Sequence, residues 1–292
     1  MSSLKEFFEH CSRIIDEQLD KLVPAVETAP ERLHEAIRWS LFAGGKRLRP
    51  ALVLAAGKTF GADESGLLRT ASAIEMIHTY SLIHDDLPAM DDDDMRRGKA
   101  TCHKKFDEAT AILAGDILHT IAFQVVAEDE NLTDKIKTKL ITELARSAAK
   151  MVDGQYLDLE AEGKTISIRE LETIHQNKTG AIIHVSARAG AIVAGAGEND
   201  LRAISDYASS LGLLFQITDD LLDVTQTSEV LGKTAGKDKA AEKATYPALY
   251  GLKEARNLAQ KVHADAIEAL NRIDKDTGLL RDLADFILNR KK

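Results

Sequence analysis

Apolar residues recur every three to four positions through almost the whole of this chain, and no run alternates apolar with polar as a half-buried strand does. That periodicity restricts the fold more than any other feature. It commits the chain to packing helical stripes against one another rather than stacking sheet faces. Helical stretches are expected over residues 3–22, from after Pro30 to a stop at Gly44-Gly45, and onward from Pro50, where proline suits a first helical turn. In residues 67–84, Leu67, Ala71, Ile74, Met76 and Ile77 fall on or near one face. The pattern resumes over 109–127, 134–159, 168–196, 201–224, 248–273 and 279–289. Scarce aromatic residues, 5% of the chain, agree with helices over sheets. The expected fold is all-α. No Ser/Pro/Gly-rich linker divides the chain, so residues 1–292 read as one domain.

A chain of 292 residues buries enough core to fold without disulfides or a structural metal. Cys11 and Cys102 form neither a disulfide framework nor a spaced ligand pattern. A net charge of −9 argues against a general nucleic-acid surface. The first residues lack a long apolar signal region, and no stretch reads as long and apolar enough to span a bilayer. A cytoplasmic protein without membrane insertion is the expectation.

Within residues 212–224, Asp219 and Asp223 stand four positions apart and share a helical face with Gln216 one turn earlier; Asp220 lies beside them. Leu213, Leu214, Phe215, Ile217, Leu221, Leu222 and Val224 surround them, as in a buried helix. No Lys or Arg lies within a turn. Carboxylates buried there without a partner would be costly. A hard divalent cation such as Mg²⁺ removes that cost, accepting carboxylate oxygens while keeping positions for water or phosphate. A solvated acidic face is the alternative, and the apolar surroundings weigh against it.

A comparable cluster lies upstream. Asp85 and Asp86 end a strongly patterned helix, Pro88 disrupts the next turn, and the chain can bend to return Asp91 toward Asp85. Arg96 and Arg97 follow. Carboxylates for metal beside guanidiniums for phosphate suit a metal-bridged diphosphate. An acidic loop neutralised by its own arginines accounts for Asp92, Asp93 and Asp94, but not for a second cluster far downstream.

The basic residues are individually weak signals. Gly45, Lys46, Arg47 and Arg49 precede a helix start, where free amide groups already favour anions. His78 lies seven residues before Asp85 and shares its face. Lys178-Thr179-Gly180 interrupts an apolar helix at Asn177. Lys233, Lys237, Lys239 and Lys243 stud residues 225–244, the longest irregular stretch, and such loops usually bind or cover something. Together they offer many cations to a phosphate ligand in an acidic protein.

On these residues the chain resembles the trans-type prenyl diphosphate synthases, particularly the bacterial farnesyl diphosphate synthases. Asp85-Asp86-Leu87-Pro88-Ala89-Met90-Asp91, followed by Arg96-Arg97-Gly98, is similar to that family's first aspartate-rich motif in its longer bacterial form. Asp219-Asp220-Leu221-Leu222-Asp223 is similar to the second. Residues 45–50, Glu75 to His78, Gly154-Gln155, Lys178-Thr179-Gly180, Phe215-Gln216, 231–233 and 243–247 fall in the family's order, so the likeness covers nearly the whole chain.

The resemblance implies an isoprenoid-synthase helical bundle around a deep central cavity, usually as a homodimer. It implies that Asp85, Asp86, Asp91 and Asp219 hold Mg²⁺, three ions by the family pattern, with Asp220 and Asp223 supporting them directly or through water. Arg96, Lys178, Lys233 and Lys243 would contact the allylic diphosphate. Gly45, Lys46, Arg49, His78 and Arg97 would belong to the isopentenyl diphosphate site. The Thr179 hydroxyl, the Lys178 carbonyl and Gln216 would stabilise a carbocation, and residues 225–244 would close as a lid. Asp92 to Asp94, Lys237 and Lys239 are extra to the pattern and leave the finer ligand set open. Tyr80, five residues before the first motif, would be the floor that stops elongation at fifteen carbons, with Ser81 beside it. A geranylgeranyl diphosphate synthase is the nearest rival. A terpene cyclase would carry an Asn/Ser/Glu metal motif at 219–223, and a non-catalytic subunit would have lost some of these acids or basic groups.

Overall fold

A computed structural model describes residues 3–225 and 244–290, and over them the backbone is helical apart from turns and one small hairpin. Helices α1 (Leu4–Leu22), α2 (Glu31–Leu41), α3 (Leu48–Thr59) and α4 (Glu64–Asp85) form the first half of the bundle. The short α5 (Cys102–Lys105) leads into α6 (Glu108–Ala127) and α7 (Asp134–Ala161). After α8 (Ile168–His175), a single π turn over Gln176–Gly180 opens into α9 (Ala181–Val193). Helix α10 (Glu198–Thr225) is followed, past residues 226–243, by α11 (Tyr246–Tyr250), α12 (Leu252–Leu270) and α13 (Gly278–Asn289).

Local chemistry sets most of these boundaries. Ser3 and Thr133 accept N–H groups at the starts of α1 and α7, and Ser167 with Glu170 forms a capping box on α8. Three boundaries differ from the periodicity. Helix α3 begins at Leu48, two residues before Pro50, because Arg47 turns into the left-handed region at φ 49° and Pro50 sits within the first turn, where no amide donor is needed. The stretch 168–196 is divided by the π turn, a bulge frequent at functional sites. The stretch 248–273 is broken by Gly251 at φ 79°. The hairpin, β1 (Met95–Arg96) with β2 (Lys99–Ala100), was too short to leave an alternating pattern. Arg97 and Gly98 form its tip, both at positive φ, as a two-residue hairpin turn of this kind requires.

Buried apolar side chains form one continuous core from Phe7 to Ile287. Helix α4 packs on α6, α3 on α9, and α10 on α12 and α9. Helix α13 is tied to α10 where the buried Tyr207 hydroxyl donates to the Leu280 carbonyl at 2.7 Å. Cys11 and Cys102 are buried and unbridged. The expectation that no segment suffices to span a bilayer needs correction: by length and composition the 20-residue α6 does. In the fold that helix packs one face against α4, α2 and α7 and leaves Ile112 and Leu113 exposed.

Candidate active site

The two acidic motifs and Lys178-Thr179-Gly180 occupy three places in the bundle: the end of α4 with its following loop, the second half of α10, and the π turn. Asp85 is the last residue of α4. Beyond Pro88 the chain does fold back, for the Asp91 N–H donates to the Asp85 carbonyl at 2.9 Å and the Asp93 N–H to that of Asp86 at 3.2 Å. Burial pushes the Asp85 carboxyl up to about 7; Lys178 and Arg96 oppose that shift, and Asp91 and Asp86 add to it. The buried Asp86 accepts from Arg96 Nε through both oxygens, at 2.8 and 2.9 Å. Burial also pushes Asp86 up, and Arg96 offsets only part of it. Thus Arg96, placed on β1, is engaged with Asp86 here. Asp92 and Asp94 gather with His103 so that one ligand atom of each lies within 4.8 Å of the others, and Asp94 also pairs with Lys104 at 2.8 Å.

The hairpin tip brings the Arg97 guanidinium against the Gly44-Gly45 turn, where it donates to the Gly44 carbonyl. Gly45 has φ +124°, which side-chain-bearing residues rarely adopt, and a Cβ there would lie 2.7 Å from Arg97 Cζ and displace the guanidinium. Arg49 meets His78 at 3.2 Å. Burial lowers Arg49 to about 10, Glu75 opposing and Arg97 adding to the shift. Burial, then Arg49, Arg97 and Arg96, hold His78 well below the usual histidine range, so its ring is neutral at pH 7. Arg49 and Arg97 thus lie close together beside a neutral His78. Lys46 extends over the Phe286 ring at 5.0 Å. Arg47 behaves differently: it is buried, donating to Glu75 at 2.7 Å, Asp16 at 2.6 Å and the Leu41 carbonyl at 2.8 Å. That residue anchors the start of α3.

Lys178 lies in the π turn and donates to Asp158 of α7 at 2.7 Å. Burial alone would lower its pKa, but Asp158, Asp91 and Asp85 outweigh burial and raise it. A Cβ on Gly154 would lie 2.1 Å from the Lys178 nitrogen, so glycine on α7 is what lets the π turn approach. Thr179 and Gln216 are half-buried, and the π turn packs on both α7 and α10.

The α10 acids do not share one environment. Asp220 is buried and accepts the Tyr246 N–H at 2.9 Å, holding α11 to α10. Asp223 is buried, while the Asp219 side chain is 38% exposed. Their helix is less enclosed than its sequence suggests: Leu214, Ile217 and Leu222 are buried, Leu213, Phe215 and Leu221 are half-buried, and Val224, one residue from the helix end, is exposed. Nor does the cluster lack a cation. Arg290, just past α13, donates to the Phe215 carbonyl at 2.8 Å, Thr218 Oγ1 at 3.2 Å and Asp219 at 3.3 Å, with its guanidinium 3.9 Å from the Phe215 ring centroid. Buried His175 links the parts: burial lowers it to about 4, and Asp158, Lys178 and Asp219 all act on it. Hence Lys178 lies within electrostatic reach of Asp85 and Asp91, and His175 within reach of both Lys178 and Asp219.

Below Asp85, Tyr80 is buried, and burial followed by the Asp85 charge raises its phenol to about 12. It lines an open cleft of about 720 Å³, with His84, Asp116, His119 and Phe123 on its own side and Ala145, Ala148, Ala149, Val152 and Asp153 of α7 on the other. Ser81 is half-buried and donates to the His78 carbonyl at 2.9 Å. Another groove, lined by Asp16, Glu17, Asp20, Arg38, Trp39, Phe42 and Lys99, holds none of the candidate site residues. Lys233, Lys237, Lys239, Lys243 and nearly all of the expected lid lie outside the described residues.

Residues 30–280 match the family model described as polyprenyl synthetase. The chain belongs to that family. Farnesyl diphosphate synthase of Escherichia coli K12 is 44% identical over 292 residues, covering 97% of this chain and 98% of its own. Geranylgeranyl pyrophosphate synthase 4 of Arabidopsis thaliana is also 44% identical, over 94% of this chain and 75% of its own. The crystal structure of an FPP/GFPP synthase from Zymomonas mobilis superimposes with a TM-score of 0.88 at 40% identity, covering 98% of each chain. The fold is therefore the all-α isoprenoid-synthase bundle. For a member of the polyprenyl synthetase family, the motifs do not reveal four partners: Asp158 for Lys178, Glu75 and Asp16 for Arg47, and Arg290 for Asp219. Only Glu75 lay in a recognised motif; the others carry no local sequence signal.

Proposed function

We propose that the chain is a farnesyl diphosphate synthase, joining isopentenyl diphosphate to dimethylallyl or geranyl diphosphate head to tail with elimination of a proton. The observation that carries this reading is Lys178, a half-buried cation under the joint influence of Asp158, Asp91 and Asp85, in a π turn packed on the helix of the second motif. The donor set fits Mg²⁺: the acids are hard oxygen donors, and burial, with Asp91 and Asp86 adding to it, pushes the Asp85 carboxyl up to about 7, a cost that a bound cation relieves. Asp85, Asp86, Asp91 and Asp219 would hold the ions, Asp220 and Asp223 supporting them. Bound Mg²⁺ supplies charge neutralisation for the leaving diphosphate.

The chain's own groups do the rest. Lys178 and Arg96, with Lys233 and Lys243 assigned by motif position, take up charge on the departing allylic diphosphate. Arg49, Arg97, His78 and Lys46 hold the diphosphate of isopentenyl diphosphate, with Gly45 leaving room for Arg97. The Lys178 carbonyl, the Thr179 hydroxyl and Gln216 offer oxygens to the allylic cation. The isopentenyl double bond then forms the new carbon–carbon bond, and the proton passes to the released diphosphate. Water exclusion keeps the cation from becoming an alcohol. Incubating the protein with Mg²⁺, isopentenyl diphosphate and geranyl diphosphate should give farnesyl diphosphate; no condensation product would refute the reading, and chelation of Mg²⁺ should abolish turnover.

Geranylgeranyl diphosphate synthesis is the second reading, favoured by the relatives of that name at equal identity. Tyr80 across the cleft supports the shorter product. Replacing it, Tyr80→Ala, should lengthen the product, and unchanged chain length by chromatography would remove it from that role. We further read residues 1–292 as a single domain, cytoplasmic, and active as a homodimer. Ile112 and Leu113 of α6 and Val152 and Tyr156 of α7 leave apolar surface exposed that a second copy would cover. A monomeric mass by light scattering at working concentration would sink the dimer.

A further inference from the structure

The cleft beneath Asp85 contains a second aromatic layer that no motif accounts for. The Tyr80 ring meets the His119 ring edge-on with centroids 4.7 Å apart, and His119 meets Phe123 in the same manner at 5.2 Å. His119 and Phe123 are one turn apart on α6, so one helix supports the Tyr80 ring of α4 from the side. Across the cleft α7 presents Ala148 and Ala149, side chains too small to hold a phenol ring in place. Burial keeps the His119 ring below its ordinary pKa, Asp116 opposing and His84 adding to the effect, so it is neutral when it packs against Tyr80. The phenol's other ring contact is His84, one turn along its own helix, at 5.7 Å.

We propose that His119 is a positioning residue for product length: it holds Tyr80 across the cleft, and the pair, backed by Phe123, forms the barrier to the growing chain. The inference rests on reading Tyr80 as the floor. A Tyr80 ring without a neighbour on α6 can rotate toward the space His119 occupied, and the growing hydrocarbon then gains a path between α4 and α6.

The test measures product length by chromatography for full-length variants supplied with Mg²⁺, isopentenyl diphosphate and geranyl diphosphate, with circular dichroism melts on each. His119→Ala should raise the ratio of twenty- to fifteen-carbon product roughly tenfold, the scale on which pocket shape discriminates hydrocarbons, while total turnover changes little. His119→Phe, which keeps a ring edge against Tyr80, should retain the wild-type ratio, and Phe123→Ala should shift it in the same direction as alanine at 119 but less. If alanine unfolds the chain, His119→Val fills the α6 surface yet is too short to reach the phenol and should give the same shift. A wild-type ratio in a folded His119→Ala or His119→Val protein, with Tyr80→Ala lengthening the product, overturns the role of His119 and leaves the floor intact. An unchanged product in Tyr80→Ala overturns the floor itself and this inference with it.

Discussion

Asp86 and Asp219 each take a guanidinium, but the two arginines reach them by different routes. Arg96 is ten residues from Asp86, on the first strand of a six-residue hairpin, and grips both carboxylate oxygens. Arg290 is 71 residues from Asp219, arrives with the end of α13, and touches it once at 3.3 Å. The exposures follow: the Asp86 side chain is 4% exposed and that of Asp219 38%. A cluster carrying its own cation assembles once its loop forms, whereas one borrowing a cation waits for helix packing. Arg96 thus engages both oxygens of a buried Asp86, whereas Arg290 makes one longer contact to a half-exposed Asp219.

The largest effects should come from the carboxylates proposed to act together. Asp85→Ala and Asp219→Ala should each lower turnover by roughly 10²–10³-fold, the scale of losing one preorganised electrostatic group. Neither should lower the melting temperature much, since Asp85 is destabilised where it stands. A strong effect at one site alone in steady-state assays would show that the clusters do not share a substrate. Next in size is the stability difference between the arginines. Arg96→Ala strands a buried Asp86 and should cost about 3 kcal/mol in urea unfolding. Arg290→Ala should cost about 1 kcal/mol, the worth of a cation–π contact beside a half-exposed acid. Equal costs would erase the distinction drawn here.

Moving the backbone tests the link between the clusters. Gly154→Ala places a Cβ 2.1 Å from the Lys178 backbone nitrogen, and should cost about 1–3 kcal/mol as an overpacked contact and depress turnover. Wild-type activity and melting would show that the π turn has room to spare. The smallest effect is acid sensitivity at His175. Its folded pKa, about 4, is below the ordinary 6.5, so the unfolded chain binds a proton that the folded site refuses. Stability from this group is complete above pH 6.5 and declines as pH falls toward 4. Replacing it, His175→Phe, should flatten the melting temperature over that window relative to wild type, and parallel pH curves would reject the assignment.

Much of this molecule was legible before folding was considered. The helices, the two acidic motifs and the return of Asp91 to Asp85 follow from spacing within a few turns, because helix periodicity and a proline break act locally. Even the π turn announced itself as an interruption at Asn177. The hairpin did not, since two-residue strands carry no period. Nor did the difference between neighbours Arg47 and Arg49, one buried against Glu75 and Asp16 and the other against His78, because their sequence context is nearly the same.

Sequence alone therefore determined the all-α class and the family, and it named the acids and bases proposed to meet a diphosphate. Tertiary structure decided which charge faces which: Lys178 with Asp158, Arg290 with Asp219, and His119 beside Tyr80. The physical reason is range. A helix is specified by neighbours three and four residues apart, but the partner of a buried charge or ring is chosen by how whole helices pack, and residues 20 to 71 positions apart meet only when they do.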